Sequence, residues 1–537
     1  MDHQQQEQAA AAASAEVARQ GEQQQAADAQ YDPEDTEPAF IDASAAGQFE
    51  EVQVEDGDEP MSDDEDGAGP AAASAAAAAS AAATDGTNQP TAAVPDQSIA
   101  TFRSHAGPVY AVATHFDAAT GTLRIVSGGG DDRAYLHTLT TGGGGGGGAP
   151  QTTTIPLAHP HTDSVSSVAI NSAHVPADAK GKAARHLVAV GSYDGTLALY
   201  DAATGQLVQL LDGPTDVEFV DFHPKGGTVV LAGSISDGTV WMYHTPTMKC
   251  LQVFVGHEGG DGQGGGGGGG GVSAGTFTPD GKFALSAGMD GTLRVWAPRT
   301  GLCRHTFRLA AESGVGDARA GLTCLQVDGG ADGQLAVAGS EDGLAYIVHL
   351  AGKKIAATLR HYDETPGAAG GSGGGGGGMD VDGEGQDSGD EELRSVEAVG
   401  FASKAVNPNW VATGGVNGTM KVWDVTHGGQ GQCRQVCRPP ADGAGGNVAG
   451  VTRIKWHPTL PLVLVTYTDG ATRLWDARDG SLVATLTGGH AGVMINGMSA
   501  EFVGADAPGG GTAVVVTAVD DGGVRVFEIN IASAVKQ

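Results

Sequence analysis

A histidine, a serine and an aspartate recur together along this chain of 537 residues. His257, Ser286 and Asp290 form one set, followed by Trp296. His105, Ser127 and Asp131 form a second, and His490, Thr517 and Asp521 a third, ending at Phe527. Such a trio can do nucleophilic chemistry, because an oriented imidazole can draw the proton from a hydroxyl. One active site would not be made three times, however. The repetition points to a structural network and to no catalytic residue.

The remaining reactive spacings are weaker. Asp380, Asp382, Glu384, Gly385 and Glu391 match positions 1, 3, 5, 6 and 12 of a calcium-binding loop. The residues before them are poly-Gly, which cannot supply the entering helix, and Asp387 stands at position 8. An acidic, solvated loop is the better reading. Glycine runs produce chance matches to GxGxxG, but no strand–loop–helix context surrounds them and GxxxxGK[ST] is absent. Cys433 and Cys437 lie four apart without a second pair, so reduced thiols are expected rather than zinc. His223-Pro224 and His457-Pro458 read as turns after strands. No metal and no cofactor is expected. Ser62 and Ser388, each followed by acids, fit acid-directed phosphorylation as well as plain acidic linker. Asn417-Gly-Thr419 matches a glycosylation acceptor but falls in a tight turn.

What positions these residues is a repeat. Strand, tight turn and second strand recur around Asp131-Asp132, Asp194-Gly195, Asp237-Gly238, Asp290-Gly291, Asp342-Gly343, Asn417-Gly418, Asp469-Gly470 and Asp521-Gly522. Six residues after each first member stand His137, Tyr200, Tyr243, Trp296, Val348, Trp423, Trp475 and Phe527. These turn residues tolerate positive φ, and the flanking strands alternate apolar and polar. One such unit cannot bury its faces alone, whereas eight arranged radially can. The fold class is therefore all-β, an eight-bladed propeller. With the Gly-His or Ser-His pairs before the units (Ser104-His105, Gly256-His257, Gly489-His490), the pattern resembles WD40 repeats. In that family His257, Ser286, Asp290 and Trp296 would form a buried hydrogen-bonded network.

Spacing between turns runs from 43 to 75 residues, beyond the roughly 40–45 of a plain repeat. Insertions near 142–150, 171–185, 259–271 and 364–392 account for the excess, at little cost in closure entropy. Since little chain remains after Phe527, residues 98–102 are expected to supply the outer strand of the last blade. The domains follow: an acidic, Ala/Gln-rich disordered tail over 1–97, then a propeller over 98–530.

Charge bounds the partners. Residues 1–100 hold 22 acids against Arg19 alone, and 361–392 hold nine acids with no Lys or Arg. Together they supply 30 of the 35 net negative charges. Such a chain suits a basic protein and neither nucleic acid nor an anionic membrane. No basic n-region with an apolar stretch opens the sequence, and no run of about 18 apolar residues occurs. A monomer in the cytoplasm, reaching the nucleus as well, is the expectation.

Particular segments sharpen this. HAGPVYAV (105–112), GGGDDRAYLH (128–137), HTDSV (161–165), DVEFVDFHPKGGTVVLAGSISDGTVWMY (216–243) and the acidic FEEVQVEDGDEPMSDDED (49–66) resemble the angio-associated migratory cell protein family. That family includes a yeast WD40 ribosome-assembly factor. The resemblance implies a dedicated chaperone of a basic large-subunit ribosomal protein, or alternatively a signalling or trafficking scaffold. The expected contact face bears the tight turns, with Asp132, Glu341 and Asp520 beside them. Asp380, Asp382 and Glu384 would contribute from the acidic loop.

Overall fold

The structure, a computed structural model, describes residues 95–140, 151–171, 186–258, 270–330, 333–362, 394–440, 449–489, 492–507 and 509–535. Outside them fall residues 1–94 of the expected tail, the insertions near 142–150 and 364–392, and most of 259–271. Ser62, Ser388, Asp380, Asp382, Glu384 and His490 also lie outside the described residues.

Eight four-stranded antiparallel sheets make a propeller. We number the blades by their first strands: Val109–Asp117, Val165–Ile170, Phe219–Phe222, Val272–Phe277, Leu322–Val327, Val396–Phe401, Val451–Trp456 and Ile495–Val503. Blade 4 shows the plan. Val272–Phe277, Ala284–Gly288, Thr292–Trp296 and Cys303–Arg308 follow one another as a meander, each paired with its neighbour. First strands contact those of adjacent blades around the whole ring, the eighth against the first.

Packing explains why no blade stands alone. The buried apolar residues divide into eight clusters, and each draws on two adjacent blades. Val126 and Leu136 of blade 1 meet Val188 and Tyr200 of blade 2, for example. The core is thus a ring of inter-blade slabs, and removing any blade would expose two of them. Close approach has a visible requirement. A Cβ at Gly128, Gly191 or Gly414, all on second strands, would collide with Val165, Val217 or Val451 in front of the next blade.

The ring closes as its sequence implies. Ala100–Phe102 pairs antiparallel with Val524–Asn530, setting Ala100 opposite Val526 and Phe102 opposite Val524. Phe102 then enters the slab between blades 8 and 1. Two single-turn helices, Leu309–Ser313 and Ile531–Ala534, each bury their first residue. No helix among the described residues is long and apolar enough to cross a membrane.

The tight turns differ from the sequence expectation in one respect. Glycine carries the positive φ, as at Gly291 (70°) and Gly470 (83°), while the Asp before it does not. Asp instead accepts the amide two residues on: Asp290 from Thr292 at 3.0 Å, Asp194 from Thr196 at 3.0 Å, Asp469 from Ala471 at 2.9 Å. It is chosen for this side-chain turn rather than for backbone freedom. Blade 1 is the exception, where Asp132 itself sits at φ 60°.

Candidate protein-binding face

The turns between second and third strands and the loops leading into first strands lie at one end of the ring, and side-chain networks bind the two together. In blade 4 the His257 ring meets Asp290 through Nδ1 at 3.1 Å and Ser286 through Nε2 at 2.7 Å. Trp296 donates from Nε1 to the same Ser286 oxygen at 2.8 Å. Because indole only donates, the serine proton is free to point to His257 Nε2, which leaves Nδ1–H for Asp290. Burial pushes the Asp290 carboxyl up, but the bonds from His257 and Thr292 together hold it below its ordinary value. Ser286 is fully buried and His257 nearly so. No substrate can reach this hydroxyl, so the arrangement fastens a loop to a turn.

Other blades vary the parts. In blade 1, His105 spans Asp131 at 2.8 Å and Ser127 at 2.8 Å, and His137 takes the tryptophan's place, 3.0 Å from Ser127. Burial drives His137 down to about 3, with His105 adding to it. In blade 2, His161 reaches Thr196 at 2.9 Å and Asp194 at 3.3 Å. In blade 6, His361 bridges Thr413 and Thr419, and Trp423 donates to Thr413 at 2.8 Å. Alignment on the turns missed the roles of His161 and His361. The 364–392 insertion separates His361 from Asn417, which hides the pairing. Blade 3 has Asp216 at this place, accepting from Ser234 and Ser236. Asp521 of blade 8 holds Arg525.

The turns place Asp132, Glu341 and Asp520 on this one face. Glu341 is exposed and accepts the Gly321 amide at 2.9 Å; Asp520 is exposed, with Asn496 Nδ2 3.4 Å away. Asp132 is half-buried, and its carbonyl accepts the His161 amide at 3.3 Å.

Further residues join them that alignment on the turns did not find. Seven of the eight first strands open with an irregular residue, among them Tyr110 between Val109 and Ala111 and Glu397 between Val396 and Ala398, while in blade 3 Glu218 directly precedes a regular strand. Several of these stitch the ring, as when Asn496 Nδ2 donates to Val109 O at 2.9 Å. In blades 3 and 6 this place holds Glu218 and Glu397. Tyr193, in the turn of blade 2, donates to Glu218 at 2.9 Å. Tyr110 and Tyr193 nonetheless keep over a third of their surface exposed (38% and 37%). Burial raises the Glu218 carboxyl; the Tyr193 bond and the field of Arg453 oppose this. Aligning first strands instead of turns would have exposed the series. The face therefore offers carboxylates and two accessible phenol rings.

Residues 248–297 and 400–424 match the family model described as "WD domain, G-beta repeat". The chain carries WD40 repeats on an eight-bladed propeller. Among WD40 relatives, human angio-associated migratory cell protein is 27% identical over 434 residues, covering 81% of this chain and 80% of that one. The ribosome biogenesis protein WDR12 homolog of Chlamydomonas reinhardtii is 27% identical over 348 residues, 59% of this chain and 66% of its own. The WD40 fold also matches that of Chaetomium thermophilum Sqt1 bound to the N-terminus of ribosomal protein L10. There the TM-score is 0.58 and the identity 18%, over 81% of this chain and 100% of that one. Among the described residues, no three His, Cys, Asp or Glu side chains are grouped to hold a metal ion.

Proposed function

We propose that this WD40 platform binds and protects a basic ribosomal protein during large-subunit assembly, using the face that bears the tight turns. The observation that carries the reading is the concentration on that face of Glu218, Glu341, Glu397 and Asp520 beside Tyr110 and Tyr193. Carboxylates attract Lys and Arg, and exposed phenol rings stack on guanidinium. The net charge of −35 favours the same class of client at longer range. The likeness to Sqt1 solved with the L10 N-terminus and to a ribosome biogenesis protein supports the choice of a ribosomal client. Action in the cytoplasm, where a newly made client needs cover, or in the nucleus belongs to the same proposal, as do the 1–97 tail and the 98–530 propeller as separate domains.

Affinity purification of the tagged chain from cell extract tests this. Recovery of one basic ribosomal protein near stoichiometry, lost when Glu341 and Asp520 are both changed to Lys, is the expected result. Recovery of receptors or signalling proteins with no ribosomal enrichment would replace the reading with that of a scaffold.

A further inference from the structure

At the end of the ring opposite the tight turns lies a cavity of about 390 Å3. Its walls are the closing residues of the first strands of blades 2 to 5, with Pro224 and Pro279 from the turns that follow. Ile170, Phe222, Phe277 and Leu325 make much of the lining apolar.

Asp221 is the charged residue in that lining. Protein surrounds it, although it keeps some contact with solvent. Three neutral donors reach its carboxyl: the Thr276 hydroxyl at 2.8 Å, the Phe277 amide at 3.3 Å and the Phe222 amide. Among the described residues no cation is one of the groups that act on it, and burial pushes it up to about 6. The bonds to Thr276 and Phe277 fasten blade 3 to blade 4, as Gln326 fastens blade 5 to blade 6 by accepting the Phe401 amide at 2.6 Å. An uncharged amide does that work for Gln326. Fastening therefore explains the acceptor at 221 and leaves its charge without a purpose. A carboxylate withdrawn from water without a counter-charge costs free energy that an incoming cation would recover.

We propose that this cavity is a second binding site, taking a primary ammonium or guanidinium on a short apolar stem. The cation pairs with Asp221 and the stem lies along the apolar wall. The site is separate from the turn face and does not rest on the function proposed above. Its ligand comes either as a Lys or Arg side chain of a protein segment or as a free small amine.

Saturation-transfer NMR on the full chain tests it with three probes: n-butylamine, n-butanol and the capped peptide acetyl-Gly-Lys-Gly-amide. The amine should bind about ten-fold more tightly than the isosteric alcohol, the worth of one partly desolvated ion pair. Asp221→Asn, which keeps the bonds to Thr276 and Phe277, should abolish that preference. Ala169→Phe, which fills the cavity and leaves the charge, should abolish binding of all three probes, and it carries the test should the first variant not fold. Tighter binding of the peptide than of butylamine assigns the site to a protein-borne side chain; the reverse assigns it to a free amine. Equal binding of amine and alcohol by the native chain, an amine preference that survives Asp221→Asn, or amine binding that survives Ala169→Phe, overturns the proposal.

Discussion

Blades 1 and 4 solve the same problem with different parts. Both hold a loop histidine between a turn aspartate at Nδ1 and a buried serine at Nε2, His105 with Asp131 and Ser127 in one and His257 with Asp290 and Ser286 in the other. Blade 4 completes the set with Trp296, a pure donor, and turns on Gly291. Blade 1 completes it with His137 and turns on Asp132 in the left-handed region. Blade 4 also has contiguous neighbours on both sides. Blade 1 abuts the seam, where Phe102 stacks on His137 with ring centroids 4.4 Å apart. The loop-to-turn fastening thus tolerates exchange of its fourth member, since His137 and Trp296 each reach the buried serine. What the exchange alters is the dependence on pH and on the chain ends.

The largest effect should come from the seam. Deleting 98–102 exposes the slab between blades 8 and 1 and should cost several kcal/mol, on the order of 10 °C in Tm. Deleting 1–94 should leave Tm within about 2 °C, since the strand that closes the ring begins after it, at Ala100. Thermal melts of the two deletions, if equal, would erase the distinction between seam and tail.

Next comes the fastening itself. His257→Ala leaves the Ser286 proton without its acceptor and removes a donor from Asp290, and should cost about 2–4 kcal/mol in chemical denaturation. His105→Ala should cost less overall, because His137, unlike the donor-only Trp296, can accept the serine proton that the lost ring leaves free. Equal losses would mean that the fourth member of each set is irrelevant.

The His137 difference predicts a pH window. Its folded pKa of about 3 lies below the ordinary 6.5, so the unfolded chain binds the proton first as pH falls. Stability from this group is complete above 6.5 and is lost progressively from there down towards 3. His137→Trp, which can donate to Ser127 as Trp296 does to Ser286, should flatten that slope. Urea titrations at pH 7 and pH 5 measure it, and an unchanged slope would contradict the assignment. The smallest effect is Asp132→Gly, which should stabilise by about 1 kcal/mol by relieving left-handed strain, without altering the sheet.

The turns and the aromatic positions after them made the blade number legible, because each unit repeats a local hairpin. Closure through 98–102 was legible because the last unit lacks a fourth strand. His361 was not, since its partners Thr413 and Thr419 lie beyond a long insertion. Glu218, Glu397 and Tyr110 escaped because they sit at the openings of first strands, and Tyr193 because it precedes its turn aspartate; neither place has a signature residue type, and their grouping is visible only once the strands are paired. Asp132 drew attention as an acid, whereas the structure gives it a second property, an unfavourable backbone conformation where other blades place glycine.

The central claim is that a charged turn face grips a basic client. Fluorescence anisotropy of a labelled L10 N-terminal peptide against the full chain, from about 50 to 300 mM salt, tests it directly. The account predicts saturable binding that weakens at least roughly ten-fold over that range and is lost in the Glu218→Lys, Glu341→Lys double variant. Binding that ignores salt, or that survives both reversals in a folded chain, would contradict it.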